Sequence, residues 1–168
     1  MSLSANLEFV YLHNARLRHV ELVIIMQGKQ RYTSEILDFD QYSMIIKDNN
    51  HKININKKDI LYLSSNTNIV DIEYISKTYY QAQSELKIRY QKPPIQDIFL
   101  NESRKYKFST EILLKDGASV SGIILGFDSF IIIISKDNGQ TMIYKNSLVY
   151  VHPLNQEFEI IRYAGESK

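Results

Sequence analysis

Apolar and polar residues alternate in short runs along this chain, and turn residues separate the runs. Glu21 to Gln27 and Glu111 to Lys115 are rich in β-branched residues and end at Gly28 or at Asp116-Gly117. Asp-Gly between two apolar runs is a tight-turn signal. A long strand follows through Ile36 and through Ile124, then another at Tyr42 to Lys47 and at Phe130 to Ser135. Turns fall at Asp48-Asn49-Asn50 and at Lys136 to Gly139. A fourth strand covers Lys52 to Asn56 and Thr141 to Tyr144, and a fifth covers Ile60 to Leu63 and Leu148 to Val151. Helical spacing precedes each set. Leu7, Val10 and Tyr11 share one face behind a possible N-cap at Ser4, and Ile95, Ile98 and Phe99 share another behind Pro93-Pro94.

The two sets of elements are in register. Residue i set beside residue i+88 needs no gap from Tyr11 to Leu63. Leu12, Arg16, Ile24, Ile36 and Leu37 meet Leu100, Arg104, Ile112, Ile124 and Leu125; Phe39-Asp40 meets Phe127-Asp128; Lys57 meets Lys145 and Tyr62 meets Tyr150. A self-similarity of this length predicts two copies of one module. A helix and five short antiparallel strands are too few for a flat sheet with two wet faces, so each copy is expected to close into a strongly bent barrel. The fold class is therefore mainly β, with a short α-helix before each five-stranded barrel. The expected organisation is a first module at 1–64, a partly ordered connection at 65–92, a second module at 93–153 and a C-terminal strand or tail at 154–168. Asn68 to Tyr74 alternates as a strand would, Gln156 to Tyr163 has the same flavour, and Thr78 to Arg89 has helical character.

Composition narrows the function. The 168 residues carry 20 Lys+Arg against 19 Asp+Glu, and the balance stays flat by segment, with 8 basic and 7 acidic residues in 1–64 and 6 of each in 95–153. Any anion site must come from local placement and not from a global field. No unbroken apolar run exceeds five residues, as at Phe130 to Ile134, against the roughly 20 that a membrane-spanning helix needs. The chain has no Cys, which predicts neither a disulfide framework nor a thiolate metal site and suggests a cytoplasmic setting, as does a start without a signal-peptide pattern. Its four His lack ligand spacing, and no nucleophile or phosphate-loop motif occurs, so no metal, no cofactor and no enzyme activity are expected.

The ordered motifs resemble the Hfq family of bacterial Sm-like RNA-binding proteins. The second copy carries Ile95-Gln96-Asp97-x-Phe99-Leu100-Asn101, the form of the family's N-terminal helix. Its Asp116-Gly117, Gly122 and Phe127-Asp128-x-Phe130 look like the Sm1 pattern, and Tyr144-Lys145 looks like the start of the family's Tyr-Lys-His. The first copy carries Phe39-Asp40-Gln41-Tyr42 and Lys57. The resemblance implies SH3-like Sm barrels arranged in rings of six modules. With two modules per chain it implies a homo-oligomer of three chains per ring, alternating the copies. Single-stranded RNA, a small RNA or a message, is the implied partner, with an RNA-chaperone or post-transcriptional role.

The resemblance also implies three RNA-contacting regions. On the pore face, an aromatic stacks on a base while Gln and Lys bond to it. That carries over to Gln41, Tyr42, Lys57 and Lys58 in the first copy, and to Gln96, Phe130, Lys145 and Asn146 in the second. Phe130 also begins an isoleucine run, so core or interface packing is its alternative role. The lateral rim carries over to Arg16 and Arg18, and to Asn101, Arg104, Lys105 and Lys107. The opposite face carries over to Ile25, Tyr32 and Leu113, a weak set in which only Tyr32 offers a ring. Asp40 and Asp128 fit loop anchors. Lys58 and Asn146 stand where the family has His, and Ser129 stands where the first copy has Gln41. Those departures leave a second reading open, a ring-forming scaffold that has lost RNA binding and acts through protein partners.

Overall fold

A computed structural model describes residues 6–71 and 95–154. Helix α1 (Leu7–Leu17) precedes strands β1 (Leu22–Met26), β2 (Arg31–Ser34), β3 (Ile36–Phe39), β4 (Ser43–Asp48), β5 (His51–Asn56) and β6 (Ile60–Ser65). Helix α2 (Ile95–Lys105) precedes β7 (Ser109–Leu114), β8 (Ser119–Phe127), β9 (Ile131–Lys136), β10 (Gly139–Tyr144) and β11 (Leu148–Pro153). Over the described residues the protein is mainly β, with two short helices and strongly bent antiparallel sheets, as its alternation predicts. Among the described residues no helix is long and apolar enough to cross a membrane.

The halves differ at their bend. The second half carries β8 as one strand, whereas the first breaks at Glu35 into β2 and β3, which lie in different sheets. The single long strand expected through Ile36 is therefore two. Ser34 sits at the break; its hydroxyl accepts from Lys47 N–H at 3.0 Å and donates to Glu35 C=O at 2.9 Å, so backbone groups freed by the bend stay satisfied. The expected cap Ser4 lies outside the described residues; Asn6 caps α1, accepting from Phe9 N–H at 3.1 Å. On α2, Ile98 is exposed, Phe99 is half-buried, and Leu100 and Ser103 are buried.

One sheet has the order β11-β7-β8-β9-β10-β6-β1-β2, and the other has β3-β4-β5. The first sheet crosses from one half to the other where β10 pairs with β6, with Gln140 opposite Ser65, Met142 opposite Leu63 and Ile143 opposite Tyr62. This seam is interdigitated. Met142 and Tyr144 of β10 are buried in the core built by Leu12, Ile24, Met44 and Ile46, while Leu61 of β6 is buried in the core built by Leu100, Ile112, Ile124 and Ile134. Backbones meet closely at its end, where a Cβ on Gly139 would lie 1.8 Å from Ser65 C=O; only glycine fits that approach.

The chain leaving β6 is clamped to the same seam. Gln140 is 2% exposed. Its Oε1 accepts from Ile69 N–H and Val70 N–H, both at 2.9 Å, and its Nε2 donates to Val70 C=O at 2.9 Å. Residues 68–71 are thus not the start of a strand, as their alternation suggested, but an irregular segment held by Gln140 at Ile69 and Val70 and by Asn14 and Arg18 at the carbonyls of Asn68 and Ile69. The remainder of that expected strand, the 78–89 helix and the 156–163 strand lie outside the described residues.

Candidate nucleic-acid interface

The site begins with two aspartate-anchored loops. Asp40 Oδ1 accepts from Tyr42 N–H and Ser43 N–H, both at 2.7 Å. Those bonds, chiefly from Tyr42 and then Ser43, hold its carboxyl below the usual carboxylate range. Asp128 Oδ1 accepts from Phe130 N–H at 2.7 Å and Ile131 N–H at 2.9 Å, and its Oδ2 accepts from Leu7 N–H at 3.1 Å. The second loop therefore also holds the first turn of α1. Each loop fixes the backbone beneath an aromatic ring and turns that ring outward: Tyr42 is 70% exposed and Phe130 is 66% exposed. Phe130 is thus not a core residue.

Two lysines sit behind the rings. Lys57 N–H donates to Tyr42 C=O, and Lys145 N–H to Phe130 C=O, each at 2.8 Å. Lys57 Nζ pairs with Glu8 at 2.8 Å and lies 5.2 Å from the Phe39 ring centre. Lys145 Nζ pairs with Asp97 at 2.9 Å and lies 5.1 Å from the Phe127 ring centre. Phe39 and Phe127 therefore act structurally, as platforms for the ammonium groups. Glu8, which motif matching missed, also accepts from the Tyr144 hydroxyl at 2.8 Å. Burial first, and then the Glu8 charge, push the Tyr144 phenol well above its ordinary value. The signal for Glu8 was present in the repeat, since it stands at the offset matching Gln96.

These residues share one cleft of about 550 Å³. Gln41, Tyr42, Lys57 and Lys58 enter it from the first half, and Phe130, Lys145 and Asn146 from the second, with Glu8 between them. Seven of the eight pore-face residues expected from sequence therefore meet across the β6–β10 seam. The eighth, Gln96, is on α2, and its side chain lies outside what is described.

The rim residues are more dispersed in their bonding. Arg16 pairs with Asp38, and Arg18 donates to Asn68 C=O at 2.8 Å. Arg104 donates to Asn101 at 3.0 Å, Lys105 lies 5.1 Å from the Tyr106 ring centre, and Lys107 is exposed in a left-handed turn at φ 54°. On the opposite face Ile25, Tyr32 and Leu113 are all half-buried, and Tyr32 packs against the first core. Its ring is thus partly occupied by the protein itself. Among the described residues no three His, Asp or Glu side chains converge as a metal site would require.

The family model described as Hfq protein matches residues 95–158. The RNA-binding protein Hfq of Clostridium perfringens is 41% identical over 59 residues, covering 35% of this chain and 74% of that protein. The RNA-binding protein Hfq of Clostridium acetobutylicum is 45% identical over 60 residues, covering 36% and 74%. Among solved structures, the pleiotropic translational regulator Hfq superposes with a TM-score of 0.34 at 20% identity, over 35% of this chain and 98% of that one. An Hfq protein from Anabaena sp. gives a TM-score of 0.32 at 28% identity, over 34% and 93%. By the identity and coverage of its clostridial relatives, the chain belongs to the Hfq family of Sm-like proteins.

Proposed function

We propose that this protein binds single-stranded RNA as a tandem of two Sm-like modules, at 1–64 and 93–153, with 65–92 as the connection and 154–168 as a tail. Three chains form a ring of six alternating modules. The repeated contacts support the tandem: the Asp40 and Asp128 loops, and the Lys57 and Lys145 pairings, recur at the sequence offset of 88 or next to it. The strand order supports the ring. The fourth strand of the second module pairs with the fifth strand of the first, leaving β5 and β11 with one neighbour each. Unpaired edges invite a further strand.

RNA is captured at the cleft between the modules. The observation that carries this reading is the pair of outward rings, Tyr42 and Phe130, lining one cleft with Lys57 and Lys145. Bases stack on exposed rings with little regard for sequence, and lysines contribute charge to phosphate or a donor to a base carbonyl. The relatives named above as RNA-binding proteins support the same partner. The role is an RNA chaperone's, performed by binding and release without turnover.

Fluorescence anisotropy with a labelled U-rich oligonucleotide tests the proposal. Binding should weaken with salt and fall sharply in a Tyr42→Ala, Phe130→Ala double variant. Equal affinity in that variant removes the cleft from the mechanism. Absence of binding to U-rich, A-rich and mixed RNA at low salt returns the scaffold reading.

A further inference from the structure

The two seams of the proposed ring cannot be alike, and the chain carries both halves of the comparison. We infer that the seam between chains, β5 of one against β11 of the next, is the weaker one and is where the ring opens and exchanges subunits. This rests on the ring proposed above. Carrying the internal register across the offset of 88 sets Ile55 opposite Tyr150, Asn54 opposite Val151, Ile53 opposite His152 and Lys52 opposite Pro153.

Each lock of the internal seam is missing from that outer one. Gly139, which admits Ser65 C=O, is replaced by His51, whose Cβ forbids the approach. Ser65 is replaced by Pro153, which has no N–H for a ladder. The clamp Gln140 becomes Lys52. Thr141 and Ser64, whose hydroxyls bond at 2.9 Å, become Ile53 and His152. Tyr144, bonded to Glu8 across the seam, becomes Asn56, whose side chain already accepts from Lys58 N–H at 3.1 Å.

Two replacements are adverse as well as missing. Met142, fully buried in the neighbouring core, becomes Asn54, a polar amide entering apolar surroundings. Ser147 donates its hydroxyl to Leu61 C=O at 3.1 Å, and its counterpart is Asp59, an acceptor facing an acceptor at Val149. Val149 itself, the counterpart of buried Leu61, is 53% exposed in the single chain and awaits a partner's core. The edges still match in β character, so they pair, but with fewer bonds and poorer filling.

The test measures solution mass and the rate at which two fluorophore-labelled populations of the full chain exchange subunits. The graft Asn54→Met with Asp59→Ser rebuilds two internal locks on the outer edge, and Asp59→Ser alone serves where the graft misfolds. The wild type should exchange, and the graft should slow exchange on the order of tenfold or more. Equal rates in the wild type and both variants overturn the weak-seam inference and leave the ring standing. Val149→Asp, an exposed change, should give single chains; a three-chain mass for it overturns the edge pairing and the inference with it. Single chains at every concentration in both wild type and graft overturn the ring itself.

Discussion

Lys57 and Tyr144, from opposite halves of the chain, converge on one carboxylate oxygen of Glu8, each at 2.8 Å. Glu8 therefore ties the halves together and also neutralises the lysine that lines the proposed RNA cleft. The two effects separate by substitution. Glu8→Gln keeps an acceptor for the Tyr144 hydroxyl and removes the negative charge. Affinity for a U-rich oligonucleotide should rise by about three- to tenfold at low salt, and the log–log salt slope should steepen by up to about one. Titrations at several salt concentrations check both.

Tyr42 is 70% exposed, and base stacking uses a ring face and needs no hydroxyl. Tyr42→Phe should bind RNA almost as the wild type does, whereas Tyr42→Ala should lose about 1–3 kcal/mol per stacked base. Far-UV circular dichroism should be unchanged in both, because the backbone of that loop is held by Asp40. A similar loss for Phe and Ala would mean that the hydroxyl carries the contact.

Alkaline pH should loosen the seam. The Tyr144 phenol is raised in the folded state by burial and by Glu8, so the protonated form is favoured by folding. A raised folded value gives a contribution that is complete below the unfolded value of about 10 and is lost as pH rises through the folded value. Stability measured by urea unfolding should therefore fall above about pH 10, and less steeply in Tyr144→Phe. Buried Tyr11, raised for the same first reason, contributes in the same direction and remains in that variant.

The Gln140 clamp gives a prediction about stability. Gln140→Leu removes the acceptor for Ile69 N–H and Val70 N–H and the donor to Val70 C=O. Leaving such buried groups unpaired costs about 1–3 kcal/mol each where they cannot reach water. A drop of about 2–4 kcal/mol in urea unfolding is expected, with amide exchange at residues 69 and 70 accelerated beyond the global effect.

Local elements were legible because their signals are local. Alternation sets the strands, Asp-Gly marks the turn with Gly117 at φ 86°, and the offset of 88 aligned the two lysines. The break at Glu35 was not legible, since Ile36 and Leu37 match an unbroken β8 in the second half and the bend depends on which sheet each piece joins. The β6–β10 pairing joins residues 75 and more apart and leaves no period in the sequence. The alternation at 68–71 pointed to a strand because Gln140, which captures that backbone, is remote in sequence. Motif matching singled out seven residues that the fold gathers around one cleft, but not the ion pairs there, which depend on Glu8 and Asp97 reaching the lysines from the helices.

Leu61 lies inside the second core, and Met142 and Tyr144 lie inside the first. Neither half thus owns a complete interior. A nascent chain that has emerged only through its first half must wait, with a hole in its flank and Leu61 wetted, until the second half arrives. Because both are tethered to one backbone, that arrival is a first-order event, indifferent to how much protein the cell has made.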